Sequence, residues 1–215
     1  CNTTYALTGA TNGNQTINAY ANDTAGNYAL NNSYVVQMDS TNPTSTINAP
    51  GNNTWTTDNT PNINITMTDN LDTSITYNIY VNGTINATGP VSNNTSTNVT
   101  LDPQPEGLRL IIAEAVDDAG NKANSSILFL KIDSIVPQIQ FVSPTEANAT
   151  TKSRTWIFAN VTITEANFQN VTFKLFNSTG LLNETTFTDN RREINWTGLS
   201  NTNVQYWYNV STYDV

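Results

Sequence analysis

Carboxylates and asparagines are the residues of this chain best placed to do chemistry. Asp69-Asn70-Leu71-Asp72 and Asp117-Asp118 are short oxygen-rich segments, and Glu165-Ala166-Asn167 is a third. Calcium takes six to eight oxygen ligands, so Asp69, Asp72, Asp117 and Asp118 are the expected metal ligands and Ca2+ the one cofactor they would hold. None of these segments has the spaced carboxylates of an EF-hand loop. Asp and Asn also favour turns through their own hydrogen bonds, and the sequence leaves both roles open. Paired carboxylates can cleave glycosides, but nothing in the pattern suggests a substrate cleft.

The triplet Asn-x-Ser/Thr is the acceptor signal for N-glycosylation of an exported protein. It occurs nineteen times, at Asn2, Asn14, Asn22, Asn31, Asn52, Asn64, Asn82, Asn86, Asn93, Asn94, Asn98, Asn124, Asn148, Asn160, Asn170, Asn177, Asn183, Asn195 and Asn209. Asn, Thr and Ser number 35, 36 and 14, together about 40% of the chain, so composition alone creates many of these triplets. Random order would give about eight, and strands with polar residues at i and i+2 about thirteen. Only the excess speaks for N-linked glycans. Asn82, Asn86 and Asn93 fall in tight turns and are the better expected acceptors, whereas Asn64, Asn160 and Asn170 read as mid-strand residues.

Much other chemistry is excluded. The chain has no His, hence no imidazole base and no His metal ligand. Its single Cys allows no internal disulfide and no Cys-rich zinc site. Eight Lys and Arg against seventeen Asp and Glu give a net charge of −9, the wrong sign for a nucleic-acid footprint. No apolar run is long enough to span a membrane as a helix. No enzymatic activity is expected.

The elements that must position these residues repeat. Ala21-Asn22-Asp23-Thr24-Ala25-Gly26-Asn27 matches Ala115-Val116-Asp117-Asp118-Ala119-Gly120-Asn121 at an offset of 94. Met38-Asp39-Ser40 followed by Pro43 matches Ile132-Asp133-Ser134 followed by Pro137 at the same offset. A third copy begins to close at 208–214. The expected organisation is therefore the C-terminal part of one domain over 1–40, a complete domain over 41–134 and a domain lacking its last strand over 135–215. The repeat is out of phase with the chain's ends, which leads us to expect further chain on both sides or completion by a neighbouring subunit.

Within a copy the hydrophobic period is two. Asn62-Ile63-Asn64-Ile65-Thr66-Met67-Thr68 alternates strictly, and Asn170-Val171-Thr172-Phe173-Lys174-Leu175 does so as well. That is the pattern of a strand with one face on a core and one in water. Turn signals such as Asn82-Gly83, Asp102-Pro103 and Ser178-Thr179-Gly180 separate the runs. Strands are expected over 44–48, 60–68, 74–82, 84–88, 96–101, 108–116 and 124–132, and again over 138–142, 156–164, 169–177, 181–187, 192–196 and 204–213. The expected core of the middle copy is Ile63, Ile65, Tyr77, Ile79, Leu110, Ile112, Ala115, Ile127 and Phe129. Tyr206-Trp207-Tyr208 lies within a strand, so at least one of the three should face outward. Six or seven strands in about 95 residues predict an all-β chain of tandem immunoglobulin-like β-sandwiches.

The Asp-Ser-x-x-Pro linker, the extended strand after it and the closing Ala-x-Asp-x-Ala-Gly-Asn resemble the immunoglobulin-like repeats of bacterial and archaeal cell-surface proteins. The tandem copies of large archaeal surface and S-layer-type proteins are especially similar. The resemblance implies a non-catalytic stalk, filament or surface-layer subunit on the outside of the cell. It implies further copies of the repeat, or identical subunits, as partners. An adhesin gripping sugar or protein, or a spacer within a secreted enzyme, is the alternative.

Overall fold

A computed structural model describes residues 11–214; Cys1 and the acceptor triplet at Asn2 lie outside the described residues. The chain divides into two compact units, residues 1–132 and 133–215. All regular structure among the described residues is β.

The first unit opens with a hairpin, β1 (Gly13–Asn22) and β2 (Tyr28–Met38), paired antiparallel. A sandwich follows. One sheet has the order β3 (Thr44–Ala49), β5 (Asn62–Thr68), β8 (Thr97–Thr100). The other has the order β4 (Thr54–Thr56), β11 (Leu128–Ile132), β9 (Gly107–Val116), β6 (Ser74–Val81), β7 (Thr84–Ser92), with β10 (Lys122–Asn124) also on β9. β4 runs parallel to β11 and the other pairings are antiparallel. A first strand that leaves one sheet and continues beside the last strand of the other is an immunoglobulin-like arrangement.

Alternation explains why these strands form. Ile63, Ile65 and Met67 of β5 are fully buried, while Asn62, Asn64 and Thr66 point outward. Each such side chain contributes about 1.5–3 kcal/mol on leaving water. The β6–β7 hairpin closes on Asn82-Gly83, both at positive φ (50° and 83°), the type I′ geometry that a right-twisted hairpin favours.

The core differs from expectation in β9 and β11. Ile111, Ala113, Leu128 and Leu130 face inward, and Leu110, Ile112, Ile127 and Phe129 do not. Residues 110–113 and 127–130 are apolar in both phases, so alternation carries no information there about which face turns in. The strand expected over 124–132 is split in two. Ser125 turns its hydroxyl inward, where Oγ accepts from the Ala113 amide at 3.0 Å, and its own N–H donates to the Ala113 carbonyl at 2.9 Å.

The second unit repeats the plan with fewer strands. β12 (Gln138–Phe141), β13 (Ile157–Thr164) and β16 (Glu193–Trp196) form one sheet. β15 (Gly180–Phe187), β14 (Asn170–Asn177) and β17 (Tyr206–Tyr213) form the other. Their shared core holds Val161, Val171, Phe173, Leu175 and Trp196. Phe173 meets Phe187 and Trp196 edge-on at 5.9 and 6.5 Å between centroids. The Trp196 indole N–H is satisfied by Asn183 Oδ1 at 2.9 Å.

Candidate metal centre

Each carboxylate of the candidate site is set by local chain chemistry. Asp117 directly follows β9, at the start of the Asp-x-Ala-Gly-Asn turn. Gly120 takes φ 91°, a conformation that costs residues with a Cβ. The turn then points Asn121 back at Asp117. Its N–H donates to Oδ1 at 2.7 Å and its Nδ2 to Oδ2 at 2.8 Å. Asp117 is consequently only 5% exposed. The same turn recurs in the hairpin, where Asp23 accepts from the Ala25 and Asn27 amides at 2.9 Å and from Asn27 Nδ2 at 2.7 Å, with Gly26 at φ 91°. The Asn27 side chain foremost holds the Asp23 carboxyl below its usual range.

Asp72 lies in the loop after β5. Asp69 Oδ1 folds that loop by accepting from the Leu71 and Asp72 amides at 2.9 and 3.1 Å. Asn93 staples it from across the sheet edge, donating through Nδ2 to the Asp69 and Asp72 carbonyls at 2.7 and 2.6 Å. The Asp118 amide donates to Asp72 Oδ2 at 2.8 Å.

Asp39 directly follows β2. Its Oδ1 accepts from the Thr41 amide at 3.0 Å. Oδ2 is buried without a donor among the described residues. One carboxylate oxygen from each of Asp39, Asp72 and Asp117 lies within 4.8 Å of the other two. The Asp118 amide draws the Asp72 pKa down. Desolvation and the charges of Asp118, Asp69 and Asp117 outweigh it and hold that carboxyl above its usual range.

The second unit carries a matching group, Asp133, Glu165 and Asp214, within the same 4.8 Å limit. Asp133, 5% exposed, directly follows β11 and accepts from Asn167 Nδ2 at 3.1 Å. Glu165 Oε1 accepts from the Asn167 amide at 2.8 Å. Asp214 directly follows β17, as Asp117 directly follows β9.

Of the four ligands expected from sequence, the structure brings Asp72 and Asp117 into one group. Asp69 supports the loop beside them, and Asp118 contributes a backbone amide. Asp39, Asp133, Glu165 and Asp214 complete the two groups. Asp39 and Asp133 could have been found from the repeat, because they match at the offset of 94.

The acceptor triplets are spread over strands and turns. Both amide hydrogens of Asn93 are held by carbonyls, so a sugar there would displace a structural bond. Asn82 and Asn86 use Oδ1, accepting from the Leu110 and Asp102 amides at 3.0 Å. Asn64 donates to Asn98 at 2.7 Å and accepts from Asn48 and Ser96, forming an amide ladder across the outer face of β3, β5 and β8. In the second unit Trp207 faces outward, 48% exposed, stacked on Phe176 at 6.2 Å and 5°. A cleft of about 410 Å³ is lined by Pro144, Glu146, Trp156, Phe158, Asn195 and Thr197. Arg154 lies 3.8 Å over the Trp156 ring and pairs with Glu146 at 2.8 Å.

No family model matches the chain, and no curated protein does. Among solved structures it is similar to the fibronectin(III)-like modules of Clostridium thermocellum CbhA, at 16% identity and TM-score 0.35, over 79% of this chain and 86% of that one. It is similar to a tetra-tandem repeat in the extending region of a large adhesion protein, at 18% identity and TM-score 0.41, over 96% of this chain and 58% of that one. It is also similar to the central fibronectin-III array of RIM-binding protein, at 12% identity and TM-score 0.28, over 79% and 57%. The strand order itself makes this an all-β chain of immunoglobulin-like sandwiches.

Proposed function

We propose that this chain is a non-catalytic, extracellular repeat segment of a cell-surface protein of the bacterial and archaeal type, serving as stalk, filament or layer subunit. The observation that carries the reading is the surface. One face of β5 is a fully buried aliphatic row, and the other is an Asn and Thr ladder tied by side-chain hydrogen bonds. Such a face is wet without strong charge and offers many amide nitrogens to a glycosyl donor. Further copies of the repeat or identical subunits are its partners, and N-linked glycans cover its outward Asn residues, Asn93 excepted. Mass spectrometry of the native protein tests this: glycopeptides are expected at several triplets, and unmodified peptides at all of them overturn the glycan part.

A second reading, adhesion, rests on the Trp207–Phe176 stack. A flat exposed aromatic pair suits a sugar ring. Trp207→Ala would then abolish binding in a glycan array while leaving the fold intact, and unchanged binding removes this reading.

A further inference from the structure

β13 and β16 pair antiparallel, with Phe158 opposite Asn195 and Ile157 opposite Trp196. Alternation sorts this pair into two faces. Ala159 and Trp196 turn into the core, 0% and 6% exposed. Phe158, Asn195 and Thr197 turn the other way, and with Trp156 they line the cleft of about 410 Å³ beside Pro144 and Glu146. Asn195-Trp196-Thr197 is one of the acceptor triplets. Because its middle residue is buried, both acceptor residues stand together on the wall of the cleft. β16 is an edge strand among the described residues, paired with β13 alone. Asn195 is exposed, and its side chain makes no hydrogen bond among the described residues, in contrast to Asn93.

The rest of the cleft is fixed by its own contacts. Arg154 lies 3.8 Å over the Trp156 ring, donates through Nε to the Trp156 carbonyl at 3.0 Å and reaches Glu146 Oε1 through Nη1 at 2.8 Å. Lys152 pairs with Glu146 Oε2 at 3.1 Å. Lys152 and then Arg154 hold the Glu146 carboxyl below its usual range, so it lines the cleft as an acceptor. Trp156 nonetheless stays 41% exposed. Aromatic rings beside a fixed carboxylate and guanidinium match a sugar, which has an apolar C–H face and a rim of hydroxyls. A wall already in place spares its occupant the entropic cost of ordering it.

We infer, building on the glycan part of the proposed function, that Asn195 carries an N-linked glycan whose first sugar ring is seated in this cleft, against Trp156 and Phe158 and beside Glu146 and Arg154. Attachment draws on a phosphate-linked sugar donor and a glycosyltransferase of the host. The Asn195 amide nitrogen attacks the anomeric carbon and the C–N bond forms. The C–O bond to phosphate breaks, the phosphate leaves with the electron pair, and the amide gives up one proton. The seated sugar bridges the edge strand β16 to β13 and to the segment that carries Glu146.

Glycopeptide mapping of the native full chain is the first test, and modification at Asn195 is expected. Glycan at other triplets with Asn195 bare overturns this inference alone. Bare peptides at every triplet overturn the glycan part of the proposed function with it. Calorimetry then reads the seat. Thr197→Ala, made in the same host, removes the acceptor triplet and should lower the transition of the second unit by about 4–8 °C, the effect of one aromatic contact in a unit of this length. Thr197→Ser keeps the triplet and should keep the transition. In protein made without glycosylation Thr197→Ala should shift it little, and an equal loss there overturns the seat. Trp156→Ala should abolish the difference between glycosylated and unglycosylated chains. Equal transitions with and without glycan in the unsubstituted chain mean that the sugar hangs free in solvent, and overturn the seat. NMR of the unsubstituted glycoprotein decides the matter should Trp156→Ala not fold. Nuclear Overhauser contacts from the first sugar to the Trp156 and Phe158 rings are expected, and their absence overturns the seat.

Discussion

The first sandwich buries fifteen apolar residues in one cluster, none of them aromatic, whereas the second buries six, led by Phe173 and Trp196. The difference follows from strand number. In the first, β11 flanks β9 and β4 flanks β11, so Leu128, Leu130 and Ile132 complete the core from that side. In the second, β14 is the one strand paired with β17 among the described residues. Tyr206, Tyr208 and Val210 of β17 pack against the core but stay partly exposed. Ring contacts take over the filling: Trp196 against Tyr208 at 5.6 Å and Phe141 against Tyr208 at 5.4 Å. One strand plan is thus served by many small aliphatic contacts or by a few large aromatic ones. In the second case a single side chain carries a larger share of the stability.

Phe173→Ala tests that lesson most severely. It should cost about 3–5 kcal/mol and strip the second unit of its calorimetric transition while leaving that of the first in place. If both transitions move together, the two sandwiches melt as one and the contrast between them fails. Asn183→Ala comes next. It leaves the Trp196 indole N–H without its acceptor, which should destabilise the second unit by about 1–3 kcal/mol, read as a lower urea midpoint at unchanged m-value. Gly120→Ala probes the turn on the first sandwich. Forcing a Cβ into φ 91° should cost about 1–2 kcal/mol in the first transition alone; an unchanged midpoint would show that this turn contributes nothing to the fold.

The smallest effect concerns the outer faces. Glu114 accepts from Asn78 Nδ2 at 2.9 Å and Tyr80 Oη at 3.2 Å, and pairs with Lys122 at 3.4 Å. These contacts, Asn78 foremost, hold its carboxyl below the usual 4.5 against partial burial. A lowered carboxyl contributes stability that is present above its unfolded value and lost as pH falls through the folded one. The Tm of the first unit should therefore decline on acidification below about 4.5, and Glu114→Gln should flatten that decline. The second unit has Lys174 paired with Glu184 at 3.0 Å on β14 and β15 instead, and should not respond to this variant.

Most strands were legible because their cause is local. Asn62 to Thr68 and Asn170 to Leu175 alternate so strictly that the backbone pleat sorts them without help from the rest of the chain. β4 was not legible: three residues around Trp55 are too short for a periodic signal, and their partner β11 lies more than seventy residues away. The split at Ser125 was hidden for a related reason, since its hydroxyl is drawn inward by the Ala113 amide, which only sheet pairing brings near.

By itself the sequence determined an all-β chain, its repeat, its turns and a neutral polar surface, because two-residue alternation and Gly or Asn turn chemistry are properties of neighbouring residues. Tertiary structure alone decided which face of Leu110 to Ala113 turned inward, since a run apolar in both phases has no preference until its partner strands and the opposite sheet impose one. It also decided which carboxylates meet. Asp39, Asp72 and Asp117 are far apart along the chain and converge only through strand pairing, whereas Asp69 and Asp118, adjacent to them in sequence, are directed to supporting the loops.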